Sequence, residues 1–572
     1  MRAIPLATYV PIERNGVVTG RDFKPRTRDW ILVVGVGLIE VICLVAFTLA
    51  LRWVIDSLTP TTVGAAYEQS FRRSLVMVAI MAGLALLMGL LRTLEFGLAE
   101  AAGYEAVRRL RMKMYSHLLG MTPDQLRHRA RGGLLLRLTG DLSMLRMWLS
   151  RGLLTGTVAL LELVVGIGLV AWLNPWIALA MVLGLSITAL LSLTQGRSMR
   201  RATKVMRRRR SLLIGSIDEQ INSLAVVQVG ARTGGEYARL ARQNDSLTES
   251  LNAVAWLRGR LRGLAYMGST LVSALVLAVG VIEVHAGATT IGATVAALLI
   301  SRFMSRPIRT LGLAHDYWHR AQVSRQKIME FHASSSRGTE RGEQPRLRVR
   351  RGAIQLRDVS SGVLVDVNMD VPAGRVVALT GPSRSGKSTL LQVVAGLQDP
   401  TQGEVWIDDQ PLSSTSPESL FRQIGVVSPD LPLMRGTIHR NLTYDQPDVN
   451  DGQLHRVCLA LGVDQMLLRH PDGMETWLTE GGANLSLSER QLLKIARALI
   501  PNPPILLLDE PTVWLDDDSK ARFLAYLRRQ QSTVLLVTHD PEVIAVADET
   551  WHLAAGQQPR RIAPVWTKEI SA

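Results

Sequence analysis

Cysteine is almost absent. Of 572 residues only Cys43 and Cys458 carry a thiol, far apart and one of them inside an apolar run, so neither a disulfide framework nor a cysteine-based metal cluster can be built. Aromatic residues are also scarce, at 5% of the chain, and charged residues make up only 20%. Yet 47% of the residues are hydrophobic, which excludes a disordered chain. A mean hydropathy of +0.16 is too low for a protein lying wholly in lipid. The length exceeds that of one compact domain at roughly 150 residues each. These absences fit a split chain, one half in a membrane and the other in water. Met1 to Asp29 is polar and net basic, without an apolar core or small-residue cleavage site, and is expected to be a cytosolic segment, residues 1–29, rather than a secretory signal.

Long apolar runs are what the first half does have. Trp30–Leu51 and Leu75–Leu98 can each cross about 30 Å of hydrocarbon at 1.5 Å per residue. Gly152–Leu173 and Trp176–Leu193 form a pair joined tightly through Asn174-Pro175, and Gly263–Val284 is a fifth span. The sixth, Ile291–Ile300, is the weakest, because Arg302, Arg306 and Arg309 follow in the same helical stretch. Those arginines fit a span only where they face a water-filled cavity or the inner interface.

Lys+Arg outnumber Asp+Glu by 65 to 49, a formal charge of +16. The excess has two readings, nucleic acid or cationic loops at an anionic membrane face. Its placement decides. Arg108, Arg109, Arg111, Lys113, Arg127, Arg129, Arg131 and Arg137 lie between spans two and three, and Arg197 to Arg210 is strongly basic between spans four and five; the opposite side is far poorer, with Arg72 and Arg73 between spans one and two. Positive loops mark the cytoplasmic face, so both chain ends are expected inside a multi-pass protein of a bacterial inner or plasma membrane, with no nucleic-acid partner. The two basic loops, about 99–150 and 195–260, keep an apolar periodicity (Val107, Leu110, Met114, Leu118) that predicts helices extending beyond the bilayer. The expected division is a transmembrane domain over 30–332, a Ser/Arg/Gly-rich linker over 333–350 and an α/β domain over 351–572, whose β-branched runs such as Val376–Thr380, Ile505–Leu508 and Val534–Val537 read as buried parallel strands.

Gly381-Pro-Ser-Arg-Ser-Gly386-Lys387-Ser388 follows one of these strands and opens a helical run at Thr389. It matches the phosphate-binding loop, in which backbone N–H groups and the helix N-terminus surround phosphate oxygens. Gly381, Ser383, Arg384, Ser385, Gly386, Lys387, Ser388 and Thr389 are the expected ATP contacts, with Lys387 on the β/γ-phosphates and the Ser388 hydroxyl on Mg²⁺. Ile505 to Leu508 ends in Asp509 and Glu510. Asp509 suits Mg²⁺, and Glu510 is placed to polarise the water that attacks the γ-phosphate. His539, at the end of the next strand, can contact that phosphate or orient the water.

With these motifs the chain resembles an exporter-type (type IV) ABC half-transporter: six spans fused to one P-loop ATPase domain. The resemblance extends to Glu510–Asp516, similar to the family's D-loop, to Gly436–Leu442, to Thr479–Ser486 leading into the signature helix Gln491–Leu499, and to Gly132–Asp141, similar to the first intracellular loop. It implies a sandwich of two ATPase domains, in which Ser486, Ser488 and Asp516 act across the interface on a second half-transporter's nucleotide. ATP then drives alternating access of a central cavity.

The chain departs from the family at three places. The signature Leu-Ser-Gly-Gly-Gln here reads Leu485-Ser486-Leu487-Ser488-Glu489, which adds side chains where glycine lets backbone approach and a negative charge beside a triphosphate. No aromatic residue occurs between Phe331 and Trp406 to stack on adenine, and Pro429 occupies the Q-loop glutamine position, with Ser428 beside it. The family analogy then favours an asymmetric heterodimer, with a homodimer as the alternative. A second alternative is a half that binds ATP and hardly hydrolyses it. Export is favoured over import, for instance of siderophores, and the cargo is a small molecule, lipid or peptide. Glu40 and Glu162 lie mid-span, where a charge costs about 2.5–3.5 kcal/mol on insertion scales. They either meet a cationic substrate or pack, as protonated carboxyls or against Arg92, Arg302 or Arg306. Arg92 and Glu95 share a helix face and are expected to pair.

Overall fold

A computed structural model describes residues 18–58, 65–127, 131–333, 344–444 and 449–562. The chain divides into two compact units, one formed by 18–112 with 135–330 and the other by 113–134 with the chain from 331 onward.

Among the described residues, six helices are long and apolar enough to cross a bilayer. They are α1 (Thr27–Leu58), α2 (Ala65–Leu119), α3 (Thr155–Leu173), α4 (Pro175–Asn222), α5 (Thr233–His285) and α6 (Ile291–Ala333). Arg108, Arg109, Arg111 and Lys113 lie on the continuation of α2 and Arg197 to Arg210 on that of α4, helices rather than loops as the periodicity predicts, while Arg129 lies outside the described residues. At 1.5 Å per residue the 55 residues of α2 measure about 80 Å, more than twice the hydrocarbon thickness. Helical segments from Arg131 lead into α3, with π-helical stretches at Arg137–Asp141 and Trp148–Leu154. The α3–α4 turn is as tight as its sequence implies. Asn174 accepts from the backbone N–H of Trp176 and Ile177 at 2.9 and 3.1 Å, and Pro175 fills the first helical position, where no N–H is needed.

Close approach of α4 and α5 rests on two reciprocal glycines. A Cβ on Gly184 would fall 2.8 Å from Val272, and one on Gly268 would fall 2.2 Å from Thr188. Small residues bring helices into van der Waals contact where lipid supplies no hydrophobic driving force. Ile177, Met181, Val276, Ala297, Ile300 and Met304 fill the space between α4, α5 and α6. The weakest predicted span is the first part of one continuous helix, α6, despite Pro307 within it.

The two mid-span carboxylates meet one cation. Arg92 of α2 places Nη1 at 2.9 Å from Glu40 of α1, 2.8 Å from Glu162 of α3 and 3.2 Å from Glu95 on its own helix. The expected Arg92–Glu95 pair is thus the core of a four-residue cluster, and Arg302 and Arg306 take no part in it. All three glutamates are buried. The packing alternative for Glu40 and Glu162 is what the helices adopt.

The second unit holds a six-stranded sheet in the order β9-β8-β3-β7-β6-β5, from Arg560–Ile562, Glu549–His552, Val376–Thr380, Thr533–Val537, Ile505–Asp509 and Ile424–Val427. All neighbours are parallel except the β8–β9 pair. β6 and β7 are buried at every position, as parallel strands covered on both faces must be. A smaller antiparallel sheet joins β1 (Ile354–Ser361), β2 (Leu364–Val371) and β4 (Gln402–Ile407). Three further helices matter for the site: α7 (Lys387–Val394), α8 (Leu487–Leu499) and α9 (Asp517–Leu527).

Removing Arg92 strands three buried carboxylates, which costs about 3–5 kcal/mol when one partner of a buried ion pair is lost. Arg92→Leu is expected to lower the melting temperature of the detergent-solubilised protein by several degrees. Adding Glu40→Gln, Glu95→Gln and Glu162→Gln to it should recover most of the loss. An unchanged melting curve for Arg92→Leu alone would show that the cluster carries no stability.

Candidate functional site

Strand register assembles the site. Val537 pairs with Leu379 on one side and with Asp509 on the other, so β3, β6 and β7 end level with one another. The loop after β3 is Gly381–Gly386, the residue after β6 is Glu510, and those after β7 are Thr538 and His539. Residues more than 150 positions apart in sequence thus emerge at one sheet edge, beside the N-terminus of α7.

Two glycines make the loop possible. Gly381 has φ +142°, and a Cβ there would lie 2.1 Å from the Leu553 carbonyl oxygen; Gly386 has φ +99°, with a Cβ 2.6 Å from Leu364 Cδ2. Any side chain at either place would push the loop off the sheet. Ser383 and Arg384 are exposed on the loop, Ser388 is exposed on the first turn of α7, and Thr389 is half-buried behind it. The Lys387 ammonium donates to the carbonyls of Gly381 and Pro382, both at 2.8 Å. Burial draws its pKa down, opposed by the charges of Glu510 and Asp509. The buried Ser385 hydroxyl has no hydrogen-bond partner among the described residues. A loop with an orphaned hydroxyl, a cation in waiting and a free helix N-terminus fits a polyphosphate.

The carboxylates gather on the same edge. Asp509 is pushed above the ordinary Asp range chiefly by burial, with the Ser388 hydroxyl bonding it and Asp430 adding repulsion. Glu510, in a left-handed backbone conformation at φ +47°, is pushed up by burial against the pull of His539. His539 Nε2 stands 3.6 Å from Glu510 Oε1, and the histidine ring is more than half exposed. Ser388 and Asp509 are adjacent oxygen donors, the chemistry that Mg²⁺ takes.

A second set of the predicted residues lies elsewhere. Ser486 caps α8 in a box: its hydroxyl accepts from the Glu489 N–H, and the Glu489 carboxylate accepts from the Ser486 N–H at 2.9 Å and hydroxyl at 2.8 Å. Although burial pushes the Glu489 carboxyl up, those bonds and His470, at 3.3 Å, hold it below the usual Glu range. Its charge is therefore engaged within the chain rather than projected outward, which moderates the repulsion expected from sequence. Ser488 donates to Asp516 at 3.1 Å, and Asp516 caps α9. No hydrogen bond or ion pair joins this set to Lys387, Asp509, Glu510 and His539 among the described residues.

Two features escaped the sequence reading. Asp430, next to Pro429, accepts from Gln392 at 2.8 Å and bears electrostatically on Asp509. This brings a third carboxylate toward the Mg²⁺-type donors; the only sequence signal was an acid beside the displaced glutamine. The missing aromatic has a structural form as well. Ser361 pairs directly with Leu364, so β1 and β2 are closed by the two residues Gly362-Val363. Val363 is exposed, and its Cγ2 lies 3.0 Å from where a Gly386 Cβ would stand.

The ABC transporter transmembrane region family matches residues 30–308, and the ABC transporter family matches residues 364–513, together three quarters of the chain. The chain belongs to the ABC transporter family. As an ABC transporter of half size, it is 25% identical over 499 residues to YknV, an uncharacterized ABC transporter ATP-binding protein of Bacillus subtilis, covering 84% of this chain and 81% of that one. It is 29% identical over 473 residues to the multidrug efflux ATP-binding/permease protein of Mycobacterium tuberculosis, covering 79% of this chain and 39% of that protein. The ATP-dependent lipid A-core flippase of Desulfotalea psychrophila is 25% identical over 448 residues, covering 77% of this chain and 78% of the flippase. A bacterial Atm1-family ABC exporter with ATP bound has the same fold, with a TM-score of 0.79 at 21% identity over 93% of this chain and 94% of that one. This ABC transporter is therefore an integral, multi-pass membrane protein with a fused ATP-binding domain and the exporter-type fold.

Base stacking on an aromatic ring contributes about 1–3 kcal/mol, and 1.4 kcal/mol is tenfold in affinity. Val363→Tyr is expected to tighten ATP binding about tenfold while leaving inorganic tripolyphosphate affinity unchanged, both by calorimetric titration. Equal gains for both ligands, or for neither, would show that the hairpin tip does not face the base.

Proposed function

We propose that the chain is one half of an ATP-driven exporter whose hydrolytic site is built on its own Lys387, Ser388, Asp509, Glu510 and His539 and is completed by the signature of a different half-transporter. One contrast carries the reading: the catalytic-type residues converge on one sheet edge, while the signature segment is turned inward on itself. Ser486 is held by Glu489, Ser488 by Asp516, and Leu487 stands exposed at the start of α8. A clamp of this kind offers a partner's nucleotide side chains in place of bare backbone, whereas the chain's own phosphate loop lacks nothing that the chemistry needs.

In this reading Lys387 leaves the Gly381 and Pro382 carbonyls for the β/γ-phosphates. Glu510 takes the proton of the attacking water, and His539 fixes that water or the γ-phosphate. Ser388 and Asp509 would hold Mg²⁺, which when bound would supply charge neutralisation on the phosphates. Binding of ATP closes the paired ATPase domains, the long intracellular extensions of α2, α4 and α5 carry that closure to the spans, and hydrolysis resets the cavity. The flanking positive charge favours a bacterial inner membrane with both termini in the cytoplasm.

Purification of the tagged chain from its native membrane is expected to bring down a second chain of similar size carrying an intact Leu-Ser-Gly-Gly-Gln. A single species of twice 62.9 kDa would replace the heterodimer by a homodimer. In the reconstituted complex, Glu510→Gln should abolish ATP hydrolysis while ATP binding persists; full activity in that variant would overturn the assignment of the base. Because burial raises the Glu510 carboxyl above its ordinary value of 4.5, it remains protonated, and unable to accept a proton, to a higher pH than a free glutamate. The acid limb of the rate profile should accordingly fall above pH 4.5, and a limb at or below that value would contradict this role.

A further inference from the structure

The face of α6 opposite its packed side carries Arg302, Arg306 and Arg309. Spaced at i, i+4 and i+7, they fall on one stripe of the helix, and all three are exposed. On the other side Ile300, Met304 and Pro307 are buried. From Ile291, the first residue of the helix, the arginines lie about 17, 23 and 27 Å along the axis, within a hydrocarbon layer of about 30 Å. Arg302 is thus near mid-depth.

Among the described residues of the unit, nothing neutralises them. None of the three side chains enters an ion pair or side-chain hydrogen bond among the described residues. The nearby acid on their own helix, Asp316, pairs with Arg320 at 2.6 Å. The acids of the other spans at this depth, Glu40, Glu95 and Glu162, are gathered on Arg92. An unpaired guanidinium cannot face lipid at mid-depth without a large penalty, so the stripe faces a polar cavity or a negatively charged occupant.

Resting on the reading of this chain as a transporter, we infer that Arg302, Arg306 and Arg309 form the recognition stripe for an anionic amphiphile, a phosphate or carboxylate head on an apolar body. Guanidinium groups match such heads with paired N–H donors. The same helix continues toward Ile291 through half-buried Val295, Leu298 and Leu299, an aliphatic surface for the body of the molecule. Head and body thus find basic and apolar stretches of one helix in sequence. The reading departs from the cationic-substrate expectation drawn from Glu40 and Glu162, both of which hold Arg92.

The test is binding without nucleotide, so that its outcome is independent of whether the chain hydrolyses ATP. Purified full-length complex is titrated with dodecyl phosphate, and with dodecyltrimethylammonium as the cationic counterpart, following intrinsic tryptophan fluorescence. Saturable binding of the phosphate, weakened at least tenfold in the Arg302→Gln, Arg306→Gln, Arg309→Gln triple variant and kept in the corresponding triple Lys variant, is the expected result. Repeating the titration in nanodiscs with and without phosphatidylglycerol identifies the source of the anion: competition by this lipid points to a membrane lipid, and its absence to a soluble amphiphile. Unaltered phosphate binding in the triple Gln variant, or preference for the cation, would overturn the inference. So would loss of the complex itself in the triple Gln variant without phosphate binding by the parent, since the stripe would then be covered by the partner chain.

Discussion

Three strands ending level with one another are the constraint on which the ATP-binding half depends. The pairing of Val537 with both Leu379 and Asp509 fixes where the phosphate loop starts, where Glu510 emerges and where His539 follows. A one-residue slip in any of these strands would turn its side chains to the opposite face of the sheet. The hydrophobic pattern of β6 and β7, buried at every residue, therefore does more than fill a core: it holds three chemically unrelated segments in register. The two glycines whose conformations and neighbours tolerate no side chain then let the loop settle on that edge.

The membrane half solves a different problem, the placement of charge where water is scarce. It does so by concentration. Three carboxylates from three helices share one guanidinium, binding α1, α2 and α3 together at a depth where an isolated ion would be expelled. The remaining mid-depth cations are left on α6 alone. The same low dielectric makes both arrangements consequential: the shared cation holds the cluster together, and the unpaired stripe requires a counterpart.

Much of this was legible in the sequence, for reasons that are themselves physical. Apolar runs near 20 residues have few interpretations, and a phosphate loop between a strand and a helix has fewer. Residues Gly381–Ser388, Asp509, Glu510 and His539 were therefore readable as a set. The basic loops were readable as helices from Val107, Leu110, Met114 and Leu118, although not their continuity over an entire α2. What periodicity cannot supply is partner choice between distant positions. Glu40, Arg92 and Glu162 lie 52 and 70 positions apart in their pairs, and no local pattern joins them. Glu489 shows the same limit at short range. It was read as a charge near a triphosphate; its spacing from Ser486 is that of a capping box, but the contact with His470 is visible only in the fold.

The two-residue closure between β1 and β2 has a consequence for what fuels the protein. A nucleotide gripped at one end by loop amides, a lysine and a helix terminus, with no ring at the other end to lie against, is identified by its tail. Such a site would select its nucleotide by the phosphate chain more than by the base. Fuel choice at this loop would then be set by which nucleoside triphosphate is most abundant in the surrounding water.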